Sequence, residues 1–281
     1  MDKNLQREKA EAFRRMHDHN RILVLPNAWD AASARVFEAA GFKAVATTSA
    51  GVAYTLGYPD GEIVPLDMMV AAVARIAQCV NVPVTADMES GFARNARDLG
   101  KTVQMIIEAG AVGMNLEDTI HGAQRELYDL PVAVERVRAA RDAANSAGVP
   151  LVINARTDVF LLGIGEKAGR YENAVGRANA YREAGADCLF VPGVRDAETI
   201  AALVRGIKGP INILAGPGTP PAPELERLGV ARVSVGSGPT HAAMTLTRKI
   251  GEELMSKGTY EFLDGVITYP EANALIGRRN S

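Results

Sequence analysis

The sequence predicts an α/β protein of the (β/α)8 TIM-type, a closed barrel of parallel strands ringed by helices, and three observations lead to it. First, a helical segment that ends at glycine and passes at once into a short apolar strand recurs along the chain. The instances are EAAG-FKAVATTS (38–49), EAG-AVGMNLED (108–118), SAG-VPLVINARTD (146–158), EAG-ADCLFVPG (183–193) and RLG-VARVSVGSG (227–238). Glycine suits the position just past a helix because it takes the left-handed conformation without a Cβ clash. Second, these strands are continuous apolar runs rather than alternating ones, as in parallel strands covered on both faces. Third, ILVLP (22–26), VPVTAD (82–87) and INILAG (211–216) fit the same rhythm and bring the count to eight strands. Eight βα units suggest closure into a barrel. No GxGxxG follows the first strand, which argues against an open doubly wound sheet.

The connecting segments read as helices. DAASARVFEAA (30–40) opens on an Asp cap, and PLDMMVAAVARIAQCV (65–80) has proline near its first turn. PVAVERVRAARDAANSA (131–147) carries apolar residues at three- and four-residue spacing. The segment from about 240 reads as one long helix, a break at Gly258 and a tail. The organisation expected is one domain over 1–281, with the barrel over about 20–240 and a C-terminal helical extension over about 241–281 that packs on a partner subunit.

Composition narrows the function classes. A length of 281 residues with 47% hydrophobic and 23% charged residues is ordinary for a soluble globular chain with a large core. The net charge of −2 supplies no basic field for nucleic acid or anionic membrane. The N-terminus, MDKNLQREKAEAFRRMHD, lacks the apolar stretch of a signal peptide, and no apolar run reaches the roughly 18 residues of a membrane span. Cys79 and Cys188 lie far apart without CxxC spacing and read as two buried thiols in a reducing cytosol. A cytoplasmic protein is expected.

The polar residues that end the strands carry the functional signal, because barrel enzymes place their chemistry at the C-terminal ends of strands. The second strand ends at Thr47, Thr48 and Ser49, and the third at Asp87, Glu89 and Ser90. The fourth ends at Asn115, Glu117 and Asp118, and the fifth at Asn154, Arg156 and Asp158. Asp60 lies in the GYPDG loop after the second strand. Asp87 and Glu89 flank Met88 on one strand end and are expected to point to one side. Acids crowded into one mouth repel, and a divalent cation relieves the repulsion. Oxygen donors without His or Cys favour Mg²⁺, with Mn²⁺ as the alternative, over zinc. Arg156 offers a fixed fork for a substrate carboxylate or phosphate. Asp118 and Asp158 read most simply as helix caps. No lysine ends a strand, which weakens a Schiff-base aldolase. The glycines of GPGTPP (216–221) and GSGPTHAA (236–243) are either tight turns or a phosphate cradle.

SAGVAYTLGYPDGE (49–62), TADMESGF (85–92), NLEDTI (115–120) and INARTD (153–158) together resemble the isocitrate lyase / phosphoenolpyruvate mutase superfamily over roughly residues 20–240. The resemblance implies a (β/α)8 barrel, a homotetramer or dimer with a C-terminal helix exchanged between subunits, bound Mg²⁺, and a small 2-oxo or 2-hydroxy carboxylate substrate. It implies Asp87 as the direct metal ligand, with Asp60, Glu89 and Glu117 holding metal-bound waters. It also implies Ser49, Ala50 and Gly51, with Asp60 and Arg156, at the substrate. The chain departs from the superfamily's lyases in lacking their K-[KR]-C-G-H loop. The corresponding lid is TIHGAQRELYDLP (119–131), without cysteine. His121 is there the candidate acid or base beside Glu117 and Arg156, and Arg125, Glu126 and Tyr128 share the segment. The expected activity is carbon–carbon bond cleavage next to an enolate, either oxaloacetate-like decarboxylation or methylisocitrate-like retro-aldol cleavage. P–C bond chemistry of the phosphonopyruvate type, a metal-free phosphate-binding barrel, and a non-catalytic keto-acid binder stay open.

Overall fold

The computed structural model describes residues 2–18, 21–122 and 126–277. Its strands in chain order are β1 (Leu23–Leu25), β2 (Asn27–Ala28), β3 (Val45–Thr47), β4 (Val84–Asp87), β5 (Gly113–Glu117), β6 (Thr119–Ile120), β7 (Glu126–Leu127), β8 (Val152–Arg156), β9 (Cys188–Phe190), β10 (Ile211–Leu214) and β11 (Arg232–Ser234). One sheet runs β1-β11-β10-β9-β8-β5-β4-β3-β2, and every pairing in it is parallel. The two ends of that order, β1 and β2, are halves of one run divided at Pro26. The first half pairs with β11 and the second with β3, so the sheet closes into the expected eight-membered barrel. Pro26 has no N–H to give to a ladder, but its carbonyl still accepts from Ala46 N at 2.9 Å. The first strand is therefore longer than ILVLP and changes partner at its proline.

The ring of helices comprises α2 (Ala31–Ala39), α4 (Leu66–Cys79), α5 (Ala96–Glu108), α6 (Leu130–Ala147), α7 (Arg170–Glu183), α8 (Ala197–Gly206) and α9 (Ala222–Arg227). Their inner faces follow helical spacing: α4 buries Met69, Val73, Ile76 and Ala77, and α5 buries Leu99, Val103, Ile106 and Ile107. Asp30 caps α2 through a reciprocal pair of bonds with Ser33. The short α3 (Ser49–Thr55) starts directly from the end of β3.

Two further pieces complete the chain. The helix α1 (Lys3–Arg15) lies across the N-terminal mouth of the barrel. Gln6 Nε2 donates to the carbonyls of Ile107 and Ala111, and Arg14 pairs with Asp187, all near strand starts. The extension beyond the barrel is α10 (Gly238–Ser256), a left-handed Gly258, a 3₁₀ turn at Glu261–Leu263, and α11 (Tyr269–Gly277). The tail is thus partly helical. It folds back on α2, where Arg35 Nε donates to the Leu275 carbonyl at 2.9 Å.

The barrel interior is polar. The hydrogen bonds Asn115 to Asp87, Asn154 to Asn115, and Asn212 to Ser234 cross between strands among buried side chains. Val, Ile and Leu ordinarily fill such an interior. Cys188 is buried and Cys79 half-buried, and both thiols are free.

Candidate active site

The strand ends place the acids in one mouth. Asp87 closes β4, and its carboxylate is held on both oxygens. Ser49 N donates to Oδ2 at 3.0 Å and Asn115 Nδ2 to Oδ1 at 3.2 Å. Its own N–H donates to Thr47 Oγ1 at 2.8 Å. Glu89 lies past the end of the strand with φ +49, so a left-handed turn rather than strand alternation aims it. Met88 between them is in the apolar core. Glu89 Oε2 accepts from Glu62 N at 2.8 Å, and the Glu62 carboxylate in turn accepts from Ser90 Oγ and Phe92 N. Glu62 and Phe92 are also left-handed, with φ +59 and +52. Three non-glycine residues in that region at one mouth mark a backbone held in place by its surroundings.

Glu117 ends β5 between an arginine and a histidine. Its Oε2 lies 2.8 Å from Arg156 Nη1 and its Oε1 lies 2.9 Å from His121 Nε2, which is also 3.5 Å from Glu89. Arg156 gives Nε and Nη2 to Asp158 at 2.6 and 2.9 Å. Two of its five N–H donors are hydrogen-bonded, both to Asp158, and Nη1 meets Glu117 as an ion pair. Asp158 also accepts from Thr119 Oγ1 at 2.6 Å.

Neither Asp118 nor Asp158 caps a helix. Asp118 accepts from Tyr181 Oη at 2.7 Å, Arg177 Nη1 at 3.2 Å and Asp158 N at 3.0 Å, while Asp129 occupies the cap of α6. Both are structural acids beneath the site. The N–H groups expected for the substrate are partly spoken for: Ser49 N serves Asp87, and Gly51 N faces Thr48 Oγ1 at 3.4 Å. The glycine loops behave as tight turns. Gly216 N turns to Thr219 Oγ1 and Gly236 N to Asn27 Oδ1.

The charges are strongly coupled. Burial, then Asp60, Glu117, Asp87 and Glu62, push Glu89 up to about 9. Burial and Asp87 likewise raise Asp60, against the pull of the Ser49 hydroxyl, Arg156 and His121. Burial raises Glu117 although Arg156 and His121 oppose it. Burial works against a charged His121, but the Glu117 contact and the charges of Glu117, Glu62 and Asp60 outweigh it and raise that histidine. This is an excess of negative charge in a half-dry mouth.

The donor set fits a hard divalent cation. It is all oxygen, one carboxylate is pre-oriented at its centre, and the surrounding acids are pushed toward protonation by one another. Among the described residues no group of three or more His, Cys, Asp or Glu could hold an ion directly. The arrangement suits an ion that keeps most of its waters and takes few protein ligands, as Mg²⁺ does.

A cleft of about 780 Å³ opens beside the cluster, lined by Asp60, Glu62, Ser90, Phe92, His121 and Tyr128 among others. A second cleft of about 640 Å³, with Arg15, Arg21 and Lys43, lies at the opposite mouth by the strand starts and contains none of the strand-end acids. The antiparallel pair β6–β7 forms the base of the 119–131 lid; Arg125 lies outside the described residues. Arg136 anchors that region from below. It donates to the Ser90 and Ala93 carbonyls, and its guanidinium stands 4.5 Å from the Tyr128 ring centre. Sequence reasoning passed over Glu62 and Arg136. Glu62 sits two residues after the singled-out Asp60, whereas nothing in a helical Arg136 signals its inward aim.

Residues 13–255 match the family model described as phosphoenolpyruvate phosphomutase. The 2,3-dimethylmalate lyase of Eubacterium barkeri is 30% identical over 280 residues, covering 95% of this chain and 94% of its own. Among solved structures, a Burkholderia cenocepacia protein superposes with a TM-score of 0.90 at 37% identity, over 96% of each chain. A phosphonopyruvate hydrolase in complex with oxalate and Mg²⁺ superposes with a TM-score of 0.85 at 25% identity, over 96% of this chain and 95% of that one. No helix among the described residues is long and apolar enough to cross a membrane.

Proposed function

The chain belongs to the phosphoenolpyruvate phosphomutase family, within the isocitrate lyase / phosphoenolpyruvate mutase superfamily, and on that premise we propose that it is a Mg²⁺-dependent lyase of small 2-oxo or 2-hydroxy carboxylic acids that cleaves the carbon–carbon bond next to an enolate. The observation that carries the reading is the Asp87 carboxylate, fixed on both oxygens inside a ring of acids that repel one another. A bound divalent cation supplies Lewis-acid stabilisation of the developing enolate oxygen.

In this reading Asp87 is the direct metal ligand, and Asp60, Glu89 and Glu117 hold the ion's waters. Arg156 keeps N–H groups on its terminal nitrogens for the substrate carboxylate while Asp158 fixes its plane and Glu117 pairs with its charge. Ser49, Ala50 and Gly51 border the same carboxylate at the start of α3. His121, whose Nε2 lies 2.9 Å from Glu117 Oε1 without a hydrogen bond to it, is the group that gives a proton to the enolate carbon or takes one from the substrate hydroxyl. The β6–β7 hairpin shields the mouth from water. Carbon–carbon rather than P–C cleavage is favoured because the 2,3-dimethylmalate lyase is matched at 30% identity and the phosphonopyruvate hydrolase, over a similar share of its length, at 25%.

The extension fits subunit exchange. α10 buries Thr240 but leaves Met244, Leu246, Leu254 and Met255 exposed, the last at 89%. Large apolar side chains left exposed along one helix mark an interaction surface, and we assign it to further copies of this chain in a homotetramer or dimer.

The test incubates the protein with oxaloacetate, 2,3-dimethylmalate, methylisocitrate and phosphonopyruvate, with Mg²⁺ or with chelator, following keto-acid release. The expected outcome is turnover of one of the three carbon–carbon substrates, lost with chelator. Cleavage of phosphonopyruvate alone, or turnover indifferent to chelator, contradicts the proposal.

A further inference from the structure

Arg232 is buried completely in the barrel interior, beneath Asp87 and away from the substrate cleft. Its strand, β11, is not a neighbour of β5, yet its Nη2 donates toward Asn115 Oδ1 of β5 at 3.4 Å. The side chain therefore crosses the barrel. It forms no ion pair with any described acid, and its Nε and Nη1 have no hydrogen-bond partner among the described residues. Below it lie the Phe13 ring, 6.0 Å from the guanidinium carbon, and the plug formed by α1. His17 stays neutral there, because burial and the Arg232 charge push it down to about 3. Burial lowers Arg232 itself to about 10, and the groups that draw it back are the Cys188 thiol and the Asp87 carboxylate.

A dry, unpaired guanidinium is costly to keep in a core that methionine or leucine could fill. The hydrogen bonds indicate what the charge does. Asn115 Oδ1 accepts from Asn154 Nδ2 at 2.7 Å and from Arg232 Nη2. An amide oxygen held by two donors leaves the NH₂ end to face the opposite way, and there it meets Asp87 Oδ1. Resting on the reading of Asp87 as the metal ligand, we propose that Arg232 is a positioning residue that acts through Asn115, fixing the direction of its amide and holding a permanent positive charge under the Asp87 carboxylate so that its outward lone pairs stay aimed at the ion.

Groups that orient a metal ligand from behind affect affinity by about 10- to 100-fold. Mn²⁺ binding to the whole chain, read by electron paramagnetic resonance without substrate, tests the inference in wild type, Asp87→Ala, Arg232→Met, Arg232→Lys and Asn115→Ala. Thermal melting tracks folding. Arg232→Met and Asn115→Ala are each expected to weaken Mn²⁺ binding by about 10- to 100-fold. Arg232→Lys, which keeps a cation, is expected to bind more tightly than Arg232→Met. If Arg232→Met fails to fold, Asn115→Ala carries the test alone. Wild-type binding that Asp87→Ala abolishes, but that a folded Arg232→Met or Asn115→Ala retains unchanged, overturns the inference by itself, as does equal affinity in folded Met and Lys variants. A wild-type chain that binds no Mn²⁺, or binding that survives Asp87→Ala, overturns the metal reading and this inference together.

Discussion

Asp87, Arg156 and Glu117 owe their usefulness to what holds them. Asp87 has no freedom to rotate because Ser49 N and Asn115 Nδ2 occupy one lone pair on each oxygen. Arg156 is a planar fork with Asp158 along one edge and Glu117 at one tip. Arg156→Lys keeps the charge but loses the fork, so kcat/KM is expected to fall about 10- to 100-fold, the worth of one or two charged hydrogen bonds. Steady-state kinetics on the accepted substrate checks it, and an unchanged value removes Arg156 from the substrate site. At this scale Asp87 and Glu89 were readable in the sequence, since two carboxylates flanking one residue at a strand end are poorly explained as surface charge or a helix cap. The roles of Asp118 and Asp158 were not. A helix cap and a buried acid paired with Tyr181 or Arg156 look alike until the partner, which is distant in sequence or on the strand itself, is placed beside them. Arg232 was hidden differently, as one charged residue inside VARVSV, a run that reads as an ordinary covered strand.

Single elements are held by close backbone approaches and by the α1 plug. Gly193, in the loop after β9, has φ +93, and a Cβ there would stand 2.7 Å from Leu161 N, a backbone atom that cannot swing aside. Gly193→Ala is expected to destabilise the fold by more than about 1 kcal/mol, visible as a lowered denaturation midpoint. The plug predicts a pH dependence. The folded His17 is lowered from 6.5 to about 3 by burial and by Arg232, so between those values the unfolded chain takes up a proton that the folded chain refuses. Stability therefore falls as pH drops through that window, by up to about 1.4 kcal/mol per pH unit from this residue. Urea midpoints at pH 7 and pH 5 should diverge less in His17→Gln than in wild type; an equal divergence removes the histidine from the acid response. The βα rhythm and the Asp30 cap were legible because they are local patterns. The seat of α1 was not, because its contacts at Ile107, Ala111 and Asp187 lie far along the chain.

As a whole the molecule is a barrel with a polar interior, an acid-lined mouth at one end and a helix closing the other. Closure depends on one proline-divided strand pairing with both neighbours, something strand counting anticipates but cannot register. The long α10 was legible as a surplus helix, and its exposed apolar side chains support the assembly proposed above. Sedimentation velocity is expected to give a dimer or tetramer, and Leu246→Lys combined with Leu254→Lys to shift it to smaller species. A wild-type monomer at micromolar concentration contradicts subunit exchange.

In the proposed reading Asp87 holds a divalent ion to which a planar, enolate-like dianion binds. Calorimetric titration of oxalate tests it most directly, because oxalate presents two coplanar oxygens and undergoes no turnover. Wild type is predicted to bind oxalate with Mg²⁺ and to lose that binding with chelator, and Asp87→Ala is predicted not to bind under either condition. Oxalate binding of equal affinity with and without Mg²⁺, or binding retained by Asp87→Ala, removes Asp87 from the role of metal ligand.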